Sequence, residues 1–230
     1  MRVEIWSDVV CPWCYIGKRR FETALARVGR RRDISSIDIA FRPFQLDPTA
    51  QPGRSQPVVE AYAKKFGGAE RAEEILRHVT SVAAGDDIEF HMDRALRANT
   101  LLAHRLLWFA EQQSGPMQIA LKERLLAAYF TDGLDIGDVA VLAACAAEVG
   151  LDGEEVTAFL AGDGGTGEVM QELTTAAANG ITAVPTYVFD GQWAVPGAQD
   201  VDLFERVLDR MLDKELETAL EQEASVAGHG

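Results

Sequence analysis

Cysteine is scarce, with three in 230 residues, too few for the disulfide framework that staples secreted domains. Basic residues are outnumbered 22 to 36, and the formal charge of −14 works against nucleic acid and anionic lipid as partners. The longest apolar runs, such as "VAVLAACAAEV" at 139–149, fall well short of the roughly 20 residues that cross a bilayer. No membrane span is expected. The opening "MRVEIWSD" lacks the charged, apolar and small-residue pattern of a secretory signal, so the cytoplasm is the expected location. A second C-x-x-C and a His pair at finger spacing are missing too. His78, His91, His104 and His229 are dispersed, and no metal site is expected.

What remains is an ordinary globular composition, 47% hydrophobic and 25% charged, long enough to bury a full core. Residues 3–7, "VEIWS", alternate as a strand does, a helical pattern follows from Pro12, and "IDIAFR" at 37–42 alternates again. A strand, helix, strand unit opens a parallel sheet, and the fold class is therefore α/β. From about 56 to 179 every candidate is helical: 56–67, 69–84, 94–114, 117–130, 138–149, 153–161 and 168–179. Strand character returns in "TYVFDGQWAVPG", where Asp190 and Gly191 separate two β-prone runs and predict a hairpin. A last amphipathic helix is expected over about 200–222. This order describes one α/β domain, 1–48 plus 175–225, with an all-helical domain, 49–174, inserted into it and a frayed tail at 226–230.

The chemistry concentrates in "SDVVCPWCYIG", residues 7–17. A thiolate is the nucleophile of disulfide exchange and needs stabilisation. A helix N-terminus supplies it, and Cys11 falls at the start of the first helix, with Pro12 at a position where its missing N–H costs nothing. Cys11 is thus expected at the exposed helix tip as the attacking sulfur, and Cys14, one turn deeper, as the resolving one. Cys145, alone in a helical run, is expected to be a buried small hydrophobe. Pro185 stands at a strand entrance. Thr100 and His104 lie one helical turn apart on a shared face. Asp8, three residues before Cys11, is a candidate turn cap or a water-linked neighbour of the pair. "GDGGTG" at 162–167 follows a helix, not a strand, and "DGLDIGD" at 132–138 has Leu134 where a calcium loop needs a ligand. Both are set aside, with Asp135 or Asp138 expected to cap a helix.

Six blocks, "SDVVCPWCYIG", "FRPFQLDP", "NTLLAHRL", "AYFTDGLDIGD", "NGITAVPTYVF" and "VPGAQ", occur in the order in which they stand in the DsbA-like oxidoreductases. Together they resemble the FrnE branch of that thioredoxin-fold family. The resemblance implies a thioredoxin fold with an inserted all-helical domain and a thiol-disulfide oxidoreductase acting on thiol or disulfide substrates. It implies a cis bond before Pro185, with Pro185 against the cysteine pair and Val184 pairing with an extended substrate beside Pro12 and Trp13. It also suggests that the face of Thr100 and His104 looks toward the cysteines, with His104 supporting a thiolate or moving a proton. No bound cofactor is implied; glutathione is a candidate redox partner. Periplasmic relatives resemble one another in having His where this chain has Trp13. The kappa-class glutathione transferases and hydroxychromene carboxylate isomerases place Ser where this chain has Cys11. A glutathione-dependent isomerase or transferase acting on a small aromatic substrate is the alternative expectation.

Overall fold

Alternation in the first residues builds a central strand. In the computed structural model, which describes residues 1–227, β1 (Arg2–Ser7) buries Val3, Ile5 and Trp6. Helix α1 (Pro12–Gly29) crosses over to β2 (Asp38–Pro43), which pairs parallel with β1 from Arg2↔Asp38 to Ser7↔Pro43. The chain then forms a two-residue strand β3 (Gln56–Pro57), α2 (Val58–Phe66), α3 (Ala69–Gly85) and a second short strand β4 (Leu96–Arg97). Helices α4 (Leu101–Gln113) and α5 (Gly115–Ala127), one turn of π-helix (Ala128–Asp132), α6 (Val139–Glu148), α7 (Gly153–Ala161) and α8 (Thr166–Ala178) follow. Strands β5 (Thr186–Phe189) and β6 (Trp193–Pro196) then return antiparallel, giving the sheet order β2-β1-β5-β6, and α9 (Val201–Ala227) closes the chain.

Two sequence expectations need correction here. The β3–β4 ladder was not expected, because two residues per strand are too few to show alternation. Helix α4 begins at Leu101 rather than 94, since the Asn99 side chain accepts from Leu101 N at 2.9 Å and donates to Ala50 O at 2.7 Å, holding the preceding residues extended. The hairpin turns at Asp190 and Gly191, both at positive φ (48° and 67°), as a tight turn between right-twisted strands requires. Of the expected tail, 228–230 lie outside the described residues, and α9 runs on through Ala227.

Helices α1 and α9 cover one sheet face, where Phe21, Tyr187 and Phe204 pack at centroid distances of 4.7–5.3 Å. The other face holds a smaller cluster around Trp6, Ala176 and Ile181. The helices between β2 and β5 share a core of their own, yet it also takes in Val9, Tyr15 and Ile16 from the segment that carries the cysteines. That joint core fixes the start of α1 from the helical side. Gln118 on α5 seals the β2 edge by accepting from Phe41 N at 2.8 Å and donating to Phe41 O at 3.0 Å. Arg42 adds ion pairs to Glu4, Glu111 and Glu172, each at 2.9 Å, and so links β1, β2, α4 and α8. The glycines of 162–167 wrap Arg105, which donates to the carbonyls of Gly162 and Gly164 and terminates α7.

Candidate active site

Strand β1 ends at the buried Ser7, and the next residues carry the chain into α1. The Asp8 carboxylate organises that turn, with Oδ1 accepting from Val9 N and Oδ2 from Leu46 N, both at 2.8 Å. Cys11 is the N-cap, at φ −89° and ψ 111°, and its sulfur accepts from the Cys14 backbone N–H at 3.2 Å. Sulfur therefore does what a serine oxygen usually does at this position. Pro12 takes the first helical position and the first turn holds no acidic residue, so nothing there opposes the positive end of the helix dipole.

Both thiols are free, and both are nearly covered, at 3% exposure each. For Cys14 this fits a resolving sulfur one turn in. For Cys11 it corrects the expectation of an exposed helix tip: the loop before β5 comes over it, with the Val184 carbonyl oxygen 3.7 Å from Cys11 Sγ. Trp13, the residue between the cysteines that does face solvent, is 39% exposed and lies 6.3 Å from the His78 ring. Burial, followed by the hydrogen bond to Cys11 and its charge, pushes the Cys14 thiol well above the usual cysteine range.

The bond between Val184 and Pro185 is cis. Gly17 lets this loop approach α1, because a Cβ there would lie 2.7 Å from Tyr187 Oη and 3.1 Å from Pro185 Cγ. Pro185 thus packs against α1 one turn beyond Cys14.

Asp8 and His104 come together, and Thr100, one turn before His104, is buried as they are. His104 Nε2 faces Asp8 Oδ1 at 3.1 Å and Phe44 O at 3.0 Å. Two acceptors at one ring nitrogen mean that this nitrogen carries the hydrogen. Thr100 Oγ1 receives Gln45 Nε2 at 3.4 Å. His104 therefore ties Asp8 to the β2 exit, and the imidazole hydrogen points at Asp8 rather than at a sulfur.

Sequence reasoning missed two residues. Lys122 on α5 is 1% exposed, its ammonium lies 5.4 Å from the Phe41 ring centroid, and burial lowers its pKa to about 8. The signal was its phase: it follows Gln118 by one turn and precedes Leu125 and Leu126, all buried. Tyr62, whose hydroxyl is raised to about 12 by burial and by the Cys11 charge, lines an open cleft of about 530 Å³. Val10, Leu46 and Tyr129 line it as well, and Lys64, Lys65 and Arg97 stand around it. Cys145 is buried on α6, Asp138 caps that helix by accepting from Val141 N at 3.0 Å, and among the described residues no group of three metal-ligating side chains converges.

The sequence matches the model of the DSBA-like thioredoxin domain over residues 2–209. The chain belongs to this family. A probable DsbA oxidoreductase of Streptomyces coelicolor is 34% identical and superimposes with a TM-score of 0.84, the match covering 93% of this chain and 90% of that one. The uncharacterized protein YwbO of Bacillus subtilis (strain 168) is 28% identical over 215 residues, 90% of this chain and 96% of that protein. The cytosolic disulfide reductase DsbM of Pseudomonas aeruginosa, solved with GSH, shares the fold at a TM-score of 0.65 and 16% identity, over 93% of this chain and all of that one (100%). As a DSBA-like thioredoxin-fold protein, this one is an enzyme of thiol-disulfide oxidoreduction. Among the described residues no helix is long and apolar enough to cross a membrane.

Proposed function

We propose that this DSBA-like enzyme exchanges disulfides through Cys11, which attacks, and Cys14, which resolves. The observation that carries the reading is the cap itself: Cys11 Sγ is held by the Cys14 N–H at 3.2 Å, at the positive end of α1. A Cys11 thiolate attacks one sulfur of a substrate disulfide, and the other substrate sulfur leaves as thiolate. Cys14 then attacks Cys11 Sγ, expelling the first substrate sulfur and leaving Cys11 and Cys14 joined. The reverse sequence oxidises a dithiol. Val184 pairs with an extended substrate, while Pro12, Trp13 and Pro185 shape its seat; the exposed Trp13 and Leu46, at 39% and 40%, give that seat an apolar rim.

The ordered sequence blocks favour the FrnE branch, and the order of strand and helix patterns favours a division into 1–48 plus 175–225 and an insertion at 49–174; a cytoplasmic setting is proposed with them. Glutathione or another small anionic thiol is the proposed redox partner. Lys64 and Lys65 beside the cleft support this on a chain whose formal charge is −14, whereas Arg97 is paired with Asp47. The same cleft favours a second reading, a glutathione-dependent isomerase or transferase of a small aromatic molecule.

Cys14→Ser separates the two. Disulfide exchange predicts that this variant accumulates a covalent mixed disulfide at Cys11 and stops turning over. Small-molecule turnover that persists in Cys14→Ser with glutathione present would establish the second reading instead. Equilibrating the wild-type pair against glutathione then gives the direction of electron flow.

A further inference from the structure

Tyr129 is a buried side chain whose polar end the fold does not use. It is 2% exposed, on the π-helical turn Ala128–Asp132 that follows α5, and its ring packs against Phe130 with centroids 4.7 Å apart. A tyrosine enclosed in this way ordinarily finds a partner for its hydroxyl. No described residue hydrogen-bonds this one. Its oxygen is not sealed in either: among the described residues, the enclosed side-chain atoms without a partner are Ser7 Oγ, Lys122 Nζ and Tyr187 Oη. Tyr129 lines the cleft of about 530 Å³, and it is there that the hydroxyl opens.

Tyr62 on α2 lines the same cleft, and its hydroxyl too has no partner among the described residues. Burial raises both hydroxyls, to about 12 at Tyr62, so both keep their hydrogens and can donate them. The remaining walls are apolar: Val10, Leu46, Val58, Ala61 and Ala98. Val10 immediately precedes Cys11, and Leu46 N donates to Asp8 at 2.8 Å, so the cleft begins beside the nucleophile. At its rim Asp47 neutralises Arg97, which leaves Lys64 and Lys65 to give the opening a positive charge. The volume falls within the range of about 300–1,000 Å³ typical of small-ligand sites. Glutathione is polar along its whole length and would leave its amides unmet against these walls. An apolar molecule with a single acceptor group at one end fits both the walls and the two donors.

Resting on the exchange reading above, we infer that this cleft binds the apolar arm of a small thiol or disulfide acid, whose carboxylate accepts from the Tyr62 and Tyr129 hydroxyls. Lys64 and Lys65 attract the anion, and the arm lies along Val10, which brings its sulfur to Cys11. Exchange then runs as written above, and the arm departs with its thiolate. Tyr62 and Tyr129 determine specificity: they touch the arm and not the reacting sulfurs. A carboxylate supplies the acceptor that two buried phenols lack, and apolar walls keep out the water that would compete for them.

The sulfur-free probe 3-nitrobenzoate, titrated into the reduced full chain and followed by NMR, tests the site without any exchange. Nitrobenzene is its counterpart lacking the carboxylate. Nitrobenzoate should bind more tightly than nitrobenzene, and Tyr129→Phe and Tyr62→Phe should each weaken it on the order of 10-fold, leaving nitrobenzene unchanged. Each substitution deletes only an oxygen that the fold leaves unpaired, so the melting temperature should not fall. Nitrobenzoate binding that is unchanged in Tyr129→Phe, equal affinity of the wild type for the two probes, or equal weakening of both probes overturns the inference. A lowered melting temperature in Tyr129→Phe overturns it too, by assigning the hydroxyl to the fold. The disulfide DTNB, whose arms are nitrobenzoates, reports exchange separately. Both Phe variants should raise the DTNB concentration that half-saturates the first thionitrobenzoate release without lowering its limiting rate. Absence of any release from the wild type defeats the exchange reading instead, so the two failures are distinct.

Discussion

Asp8 Oδ1 lies 3.1 Å from His104 Nε2, and both side chains are closed to solvent. Asp8 also accepts from two backbone N–H groups, so every hydrogen aimed at it comes from a fixed donor. Asp8→Asn must turn its amide donor toward at least one of them. The expected cost is about 2 to 4 kcal/mol in urea unfolding, accompanied by slower exchange, because Asp8 O also receives Cys11 N at 3.4 Å. His104→Ala, which leaves both backbone bonds to Asp8 in place, should cost less. Equal losses in the two variants would show that the histidine, and not the backbone, holds the carboxylate.

The burial of Lys122 gives it a stability signature. The Lys122 pKa falls from 10.5 in an ordinary lysine to about 8 here, because burial disfavours the ammonium. Below 8 the native protein bears this penalty in full. Between 8 and 10.5 the unfolded chain holds a proton that the native one has released, so stability rises with pH across that window and the penalty is gone above it. Lys122→Met should therefore be more stable than wild type at pH 7, by about 2 to 3 kcal/mol, with the gap closing by about pH 10.5. Matching denaturant curves at pH 7 would mean that Lys122 is not a suppressed base.

Much of this was legible before the fold was seen, for identifiable reasons. Alternation in "VEIWS" and "IDIAFR" marks β1 and β2, and Asp190-Gly191 marks the hairpin, because both signals are local. Cys11 and Pro12 announce a helix start for the same reason. Asp8 and His104 were both singled out, but not as partners 96 residues apart, since sequence carries no record of which distant side chains meet. Lys122 was passed over despite its phase on the buried face of α5, because a lysine on an amphipathic helix ordinarily faces water or snorkels to it. The family resemblance placed Val184 and Pro185 beside the cysteines, but no local pattern shows how fully a loop 173 residues away covers Cys11.

Charge around the cleft gives a prediction about partners. Lys64 and Lys65 are exposed on the last turn of α2, and Arg97 is already paired with Asp47. Glu at both lysine positions should lower kcat/KM for glutathione disulfide on the order of 10-fold at low salt, with the difference shrinking as ionic strength rises. A neutral disulfide such as hydroxyethyl disulfide should be unaffected. Equal loss for both substrates would assign the lysines to folding rather than to attraction of an anion.

The sulfur at position 11 is at once the nucleophile and the cap of α1, and two substitutions separate those roles. Serine retains an acceptor for the Cys14 N–H, now at 3.2 Å from sulfur, whereas alanine leaves that donor unmet. Cys11→Ser should therefore abolish exchange while keeping wild-type stability, and Cys11→Ala should abolish exchange and also lose about 1 kcal/mol. The reduced wild type is the reference for both, since its thiols are free. If alanine proved as stable as serine, the sulfur would not be capping the helix. The 3.2 Å contact would then reflect only the proximity of the two residues, and stabilisation of the Cys11 thiolate would have to come from the helix dipole alone.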